Sequence, residues 1–143
     1  MRRRRDVSVG VLMSVMMCWA VSDASPTIGT AQTLLGNAEA GRSVFNGKGV
    51  CHYCHGVDGY RDKRPKLEVD TAALIARLNP PPSDLRNPKS LRLKTDKARA
   101  KLIREGHEGT AMFPDTTMTD RELADTLAYL AVLRREGSRG AQR

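Results

Sequence analysis

Two cysteines and a histidine stand close together in the run Cys51-His52-Tyr53-Cys54-His55, whose spacing is C-x-x-C-H. This spacing is the attachment signature of a c-type haem. Each thiol can bond covalently to one vinyl group of the same porphyrin, and the two intervening residues let both sulfurs reach it. The following histidine is then held below the iron, where its imidazole can be the proximal ligand. The motif predicts Cys51 and Cys54 as the carriers of one haem c and His55 as an axial iron ligand.

A C-x-x-C pair has two other common roles, as a redox-active dithiol or as half of a zinc site. A thiol oxidoreductase would carry the motif near a βαβ pattern, and no segment of this sequence alternates like a strand. A zinc site would need further ligands at a suitable spacing, which the sequence lacks. These comparisons favour the haem interpretation.

The second axial ligand has four candidates, namely His52, His107, Met112 and Met118. His52 lies between the cysteines, so it is directed away from the iron and is expected at the surface. His107 follows a helix end and is expected to face solvent, whereas Met118 precedes a helix cap, where an apolar residue usually packs on the first turn. Met112 lies in a loop of helix breakers that can cross the open haem face and place a thioether on iron. We therefore predict Met112 as the ligand, with ordinary loop packing as the alternative.

The rest of the sequence predicts short helices separated by turn-rich loops. The predicted helices cover residues 37–46, 71–78, 97–105 and 119–135. The last begins with a capping box at Thr119 and Glu122 and is expected to end at Gly137. Because aromatic residues make up only 4% of the chain, its own core would be thin, and a haem would fill it. We expect an all-α fold of about four short helices wrapped around one covalent haem.

Individual positions in these helices carry further expectations. Gly41 and Phe45 lie four residues apart on one face of the first helix. A glycine inside a helix usually marks the close approach of another backbone, although a weak, frayed helix would explain it equally well. In the second helix, the apolar residues Leu74, Ile75 and Leu78 are expected to face inward.

The N-terminal segment has the pattern of a secretory signal peptide, because four arginines precede an apolar run that ends in small residues. An uncleaved N-terminal anchor is the alternative. The predicted organisation is a signal peptide at 1–24, a flexible lead-in at 25–36, one domain at 37–136 and a disordered tail at 137–143. The mature protein is expected in the periplasm, outside the membrane.

The chain is basic, with 24 Lys and Arg, 16 Asp and Glu and a formal net charge of +8. The leader holds four of those basic and two of those acidic residues, so the rest keeps a net charge of +6. This charge favours docking to acidic surfaces of redox partner proteins. A nucleic-acid partner is not expected, because the basic residues are scattered rather than clustered. We expect a monomer that forms transient complexes.

Several short motifs follow one another along the chain in a characteristic order. A Gly-x-x-x-Phe helix precedes CHYCH-Gly, and Pro-Ser-Asp-Leu, Ile-Arg-Glu-Gly and Gly-Thr-Ala-Met-Phe-Pro segments follow it. The chain then closes with Thr-Asp-x-Glu-Leu-Ala-Asp-x-Leu-Ala-Tyr-Leu. Together these motifs resemble the bacterial class I monohaem cytochromes c across residues 36–135. The resemblance implies an electron-transfer protein rather than an enzyme, with haem c as its cofactor and His/Met ligation.

The resemblance has further implications for single residues. The first and last helices should cross at close contact, which favours a packing role for Gly41 and places it with Phe45 against Leu127, Tyr129 and Leu130. A proline carbonyl after the motif should accept the Nδ1–H of the proximal histidine. Among the prolines, Pro82 is the predicted acceptor and Pro81 the next choice.

The sequence departs from the family pattern at two places. The stretch 61–64 is unusually basic, and Phe113 stands where the family commonly has a proline after the methionine. The function we expect is a periplasmic one-electron carrier. Two alternatives stay open, namely a haem subunit docked permanently to a dehydrogenase or oxidase, and a haem enzyme or gas binder with an open sixth site.

Overall fold

The computed structural model describes residues 35–142, which form five α-helices and two 3₁₀ turns, with no strand in that part of the chain. The helices are α1 (Ala38–Phe45), α2 (Cys51–His55), α3 (Val69–Ala76), α4 (Asp96–Glu105) and α5 (Asp120–Gly140), and the 3₁₀ turns are Val57–Gly59 and Pro88–Ser90. The all-α prediction is confirmed. The predicted signal peptide at 1–24 and nearly all of the lead-in at 25–36 lie outside the described residues.

The crossing of α1 and α5 forms the centre of the fold. A Cβ built on Gly41 would overlap the backbone carbonyl of Asp125, so only glycine allows this approach of the two helices. Phe45, 1% exposed, packs in one buried cluster with Tyr129 and Leu133, and Leu130 borders that cluster. The predicted close crossing is therefore present, and the backbone of α5 is what meets Gly41.

Side chains fix where both helices begin. The Asn37 side chain accepts hydrogen bonds from the first-turn backbone of α1, and its own N–H donates to Asp125 Oδ1 at 2.6 Å. At the start of α5, Thr119 N–H donates to Glu122 Oε2 at 2.7 Å, and Glu122 N–H donates to Thr119 Oγ1 at 3.2 Å. The predicted capping box is confirmed. Lys48 and these cap bonds lower the pKa of Glu122 to about 2.

Two predicted helix boundaries are wrong. Helix α5 does not end at Gly137 but continues to Gly140, so the first residues of the predicted disordered tail are helical. Helix α3 begins at Val69, earlier than predicted, and it buries none of its residues. Leu74, expected to face inward, is 67% exposed, whereas Ile75 is half-buried.

A second buried cluster joins α4 to α5. Ile103, Met118 and Leu123 form it, and Met112 is one of the half-buried residues packed against it. Helix α4 is capped by Thr95, whose Oγ1 accepts from Ala98 N–H at 3.2 Å. This cluster supports the loop that contains Met112. Among residues 35–142, no helix is long and apolar enough to cross a membrane.

Candidate haem-attachment site

Helix α2 is the C-x-x-C-H motif itself, so Cys51, Cys54 and His55 are held on one short helix. Gly56 follows it with φ 83°, and a Cβ there would overlap the carbonyl of Tyr60. The tight turn after the motif therefore needs glycine. Both cysteines are free thiols.

Burial determines the chemistry of the two thiols. Burial, with the nearby charge of Asp115, raises the pKa of Cys51 to about 11. Burial also raises the pKa of Cys54, although Arg64 opposes the shift. Both shifts favour the protonated thiol as long as the sulfur is not bonded to another group.

His55 is held by a single backbone carbonyl. Its Nδ1 lies 3.0 Å from the carbonyl oxygen of Ser83. Burial lowers the pKa of His55, with the Ser83 carbonyl opposing that shift, so the ring is neutral and Nδ1–H is the donor. No residue between 35 and 142 bonds to Nε2, which keeps a lone pair available as a ligand.

The prediction of Pro82 as the acceptor for His55 is wrong, and Pro81 is not the acceptor either. The carbonyl belongs to Ser83. The chain bends at residues 79 and 80 and then has no regular secondary structure until the turn that begins at Asp84, whose carboxylate accepts from the N–H of Arg86 at 2.9 Å. The carbonyl that reaches the ring is therefore the last one before this turn.

The two candidate methionines, Met112 and Met118, have different surroundings in the structure. Met118 is 4% exposed, and its Sδ accepts a hydrogen bond from Thr126 Oγ1 at 3.6 Å. Its predicted core role is confirmed. Met112 is half-buried, and its Sδ has no donor among the described residues. Of these two thioethers, only that of Met118 accepts a hydrogen bond within residues 35–142, whereas Met112 packs against the second buried cluster.

A comparison with known proteins adds one positive finding. The family model described as Cytochrome c matches residues 38–134. This chain belongs to the cytochrome c family. The match runs from the first residue of α1 far into α5 and includes every predicted site residue. Among curated proteins and among solved structures, no match to the chain was found.

Family membership makes this a haem-binding electron-transfer protein and implies covalently bound haem c. The donor set of this cytochrome fits that group. Cys51 and Cys54 supply two thiols on one helix, and the free Nε2 of His55 belongs to the same helix. The two sulfurs and one imidazole nitrogen are the atoms that a c-type haem requires.

The other two histidines of the cytochrome have different surroundings. His52 is half-buried rather than at the surface, because its Nδ1 lies 3.2 Å from the carbonyl of Phe45 and its ring packs edge-on against Tyr53. His107 is exposed, as expected, and its backbone N–H donates to the Met112 carbonyl at 2.9 Å. His52 thus anchors the motif to the end of α1.

Asp58 is a structural residue that the sequence interpretation missed. Its carboxylate accepts from Arg42 at 2.8 and 2.7 Å, from Asn46 Nδ2 at 2.7 Å and from the Tyr129 hydroxyl at 2.7 Å. The Arg42 guanidinium, above all, holds the pKa of this carboxyl well below its usual range. The only sequence signal was an Asp-Gly turn directly after the motif. Asp58 ties that turn to both crossing helices.

Proposed function

We propose that this cytochrome is an exported one-electron carrier in which Cys51 and Cys54 hold one haem c and His55 and Met112 are the axial ligands. The observation that carries the proposal is the hydrogen bond from His55 Nδ1 to the Ser83 carbonyl, 3.0 Å long. It fixes the tautomer that leaves Nε2 as the ligand nitrogen and makes the imidazole more basic. Haem iron with two protein ligands supplies a reversible one-electron couple.

Hydrogen bonds hold the Met112 loop in place. The Met112 carbonyl accepts from His107 N–H at 2.9 Å, and Met112 N–H donates to Thr110 Oγ1 at 3.1 Å. Further along, Asp115 N–H donates to the Ile103 carbonyl at 2.9 Å. A thioether on such a fixed loop can remain bound in both oxidation states, which suits fast electron transfer because little has to rearrange.

A basic loop beside the motif is the proposed docking surface for an acidic redox partner. It contains Arg61, Lys63, Arg64 and Lys66, all exposed. The loop folds back on the motif, since Arg64 Nη1 donates to the backbone carbonyls of residues 53 and 54 at 3.3 and 3.4 Å. Opposite charge would steer a transient complex toward the haem-attachment helix. Export to the periplasm and a monomeric mature form complete the proposal.

The absorption spectrum of the purified protein tests the ligand set. We expect covalent haem c bands and, in the ferric state, the thioether-to-iron charge-transfer band. We also expect no binding of carbon monoxide to the reduced native protein, since Met112 would fill the sixth position. Carbon monoxide binding without denaturation would instead indicate an exchangeable site and a gas-binding or enzymatic function.

A further inference from the structure

We infer that Arg86 is a positioning residue for His55, because it clamps the segment that carries the Ser83 carbonyl against Asp58 and the end of α5. This inference rests on the proposed role of His55 as an iron ligand. The clamp would keep the hydrogen bond to Nδ1 closed, and the basicity of the iron-bound imidazole would depend on it.

The side chain of Arg86 makes three different contacts at once. Nε donates to the backbone carbonyl of Asp58 at 2.9 Å, and Nη1 donates to Glu136 Oε2 at 2.9 Å. The guanidinium also stacks on the ring of Tyr60, 3.8 Å from its centroid. Only 14% of the side chain is exposed. A planar guanidinium is needed to satisfy all three directions together, and the ammonium group of a lysine could not do so.

The backbone of the same residue explains a glycine inside α5. A Cβ on Gly137 would overlap the carbonyl of Arg86, so the loop backbone rests directly on the helix. Glycine in a helix interior costs about 1 kcal/mol relative to alanine, yet α5 continues past it to Gly140. Gly137 is therefore a contact point for the Arg86 loop.

A compact turn transmits this contact from Arg86 to Ser83. The Asp84 carboxylate accepts from the backbone N–H groups of Arg86 and Asn87 at 2.9 and 3.2 Å. The Asp84 carbonyl in turn accepts from Ser90 Oγ at 2.7 Å. Because the turn is bonded within itself, displacing Arg86 would displace the neighbouring Ser83 carbonyl.

The other end of the clamp is also fixed. The backbone carbonyl of Asp58 accepts the hydrogen bond from Arg86 Nε. The carboxylate of Asp58 accepts hydrogen bonds from Arg42 on α1 and Tyr129 on α5. The contacts thus form a continuous path from the helix crossing through Asp58, Arg86 and Ser83 to His55. If these contacts break, the hydrogen bond from Nδ1–H to the Ser83 carbonyl weakens and the imidazole becomes a poorer electron donor to iron. The ferrous state is then stabilised relative to the ferric state, which raises the reduction potential.

Two glycine-to-alanine variants of the holoprotein test the clamp. Gly137→Ala pushes the loop away without removing any clamp side chain, while Gly140→Ala, in the same helix, meets no atom within 4 Å. With ¹⁵N-histidine labelling, the Nδ1–H signal of iron-bound His55 can be followed in the ferric protein. We expect its hydrogen exchange to be about tenfold faster in Gly137→Ala and unchanged in Gly140→Ala. The reduction potential should shift to more positive values only in Gly137→Ala.

Arg86 variants provide a second test that does not alter α5. Arg86→Met should accelerate the hydrogen exchange of His55 Nδ1–H and raise the reduction potential. Arg86→Lys should give values of both that lie between those of Arg86→Met and the parent protein. Equal exchange rates and potentials in the parent, Gly137→Ala and Arg86→Met would overturn the clamp while leaving the haem assignment intact. If the parent shows no hyperfine-shifted Nδ1–H signal from His55, the ligand assignment itself fails, and the clamp fails with it.

Discussion

The rings of Phe45 and Tyr129 form a T-shaped pair, with 5.5 Å between the centroids and 68° between the planes. The same tyrosine donates its hydroxyl proton to Asp58 at 2.7 Å, in the turn that follows the C-x-x-C-H helix. Tyr129 therefore joins the α1–α5 crossing to the proposed haem-bearing segment. A change that separates the two helices should therefore also alter the surroundings of the attachment helix.

Gly41→Ala should destabilise the protein, because the new Cβ would overlap the carbonyl of Asp125 and force the two helices apart. We expect a loss of about 2 to 3 kcal/mol in the free energy of unfolding, as for other overpacked interfaces. Denaturant unfolding monitored by circular dichroism measures it. Gly140→Ala, with open space around it, is the control and should not lower stability. Equal stabilities for the two variants would contradict the close crossing.

Asp58→Asn should lower the free energy of unfolding by about 1.5 to 3 kcal/mol near neutral pH, because it weakens the charge-assisted hydrogen bonds that the carboxylate accepts from Arg42 and Tyr129. The backbone is not the cause, since Asp58 has φ 54° and asparagine also tolerates this left-handed conformation. Denaturant unfolding of both proteins at neutral pH gives the difference.

The pH dependence of that difference identifies the charge. The carboxylate of Asp58 has a lower pKa in the folded than in the unfolded chain, so its stabilisation is complete above the unfolded pKa and declines as the pH falls. The stability gap between the parent and Asp58→Asn should therefore narrow below about pH 4. A gap that stays constant down to about pH 2 would show that the charge of Asp58 contributes nothing.

Met112→Ala and Met118→Ala should change different properties, the first the iron ligation and the second the stability of the fold. Met112→Ala should abolish the thioether-to-iron band and open the iron to carbon monoxide. Met118→Ala should keep the band but lower the free energy of unfolding by about 2 to 5 kcal/mol, because this side chain is 4% exposed in a buried cluster. Loss of the band from Met118→Ala alone would reverse the assignment.

Charge reversal at the basic loop should slow electron transfer with an anion. Oxidation of the reduced protein by ferricyanide should be about three- to tenfold slower in Arg61→Glu/Lys63→Glu at low ionic strength. Lys97→Glu/Arg135→Glu changes the net charge equally at two exposed sites on α4 and α5 and should slow the reaction less. The difference should fade above about 0.15 M salt. Identical rates for the two pairs would mean that only net charge matters.

Much of the fold follows from local patterns. The capping box at the start of α5 was predictable because it depends on residues within one turn. The glycine-mediated crossing at Gly41 was predictable from the family-like order of motifs. The end of α5 was not predictable. Gly137 has the local appearance of a stop signal, and its contact with Arg86 exists only in the folded chain.

The candidate site shows the same division. Helix α2 was not among the predicted helices, because the sequence pattern of the motif indicates haem attachment rather than a helix. The core role of Met118 could be inferred from its position directly before the capping box. The acceptor for His55 could not, because a proline run fixes the direction of the chain but not which carbonyl ends opposite the ring, and Ser83 was missed by one residue. The role of Asp58 was also hidden, since its partners come from distant parts of the chain.

The intact mass of the protein in denaturing solvent tests the central claim most directly. We predict a mature chain heavier than its polypeptide by one haem, with no thiol left to alkylate at Cys51 or Cys54, and loss of this covalent mass in Cys51→Ala/Cys54→Ala. A purified parent protein with the mass of the bare polypeptide and two alkylatable cysteines would contradict the account.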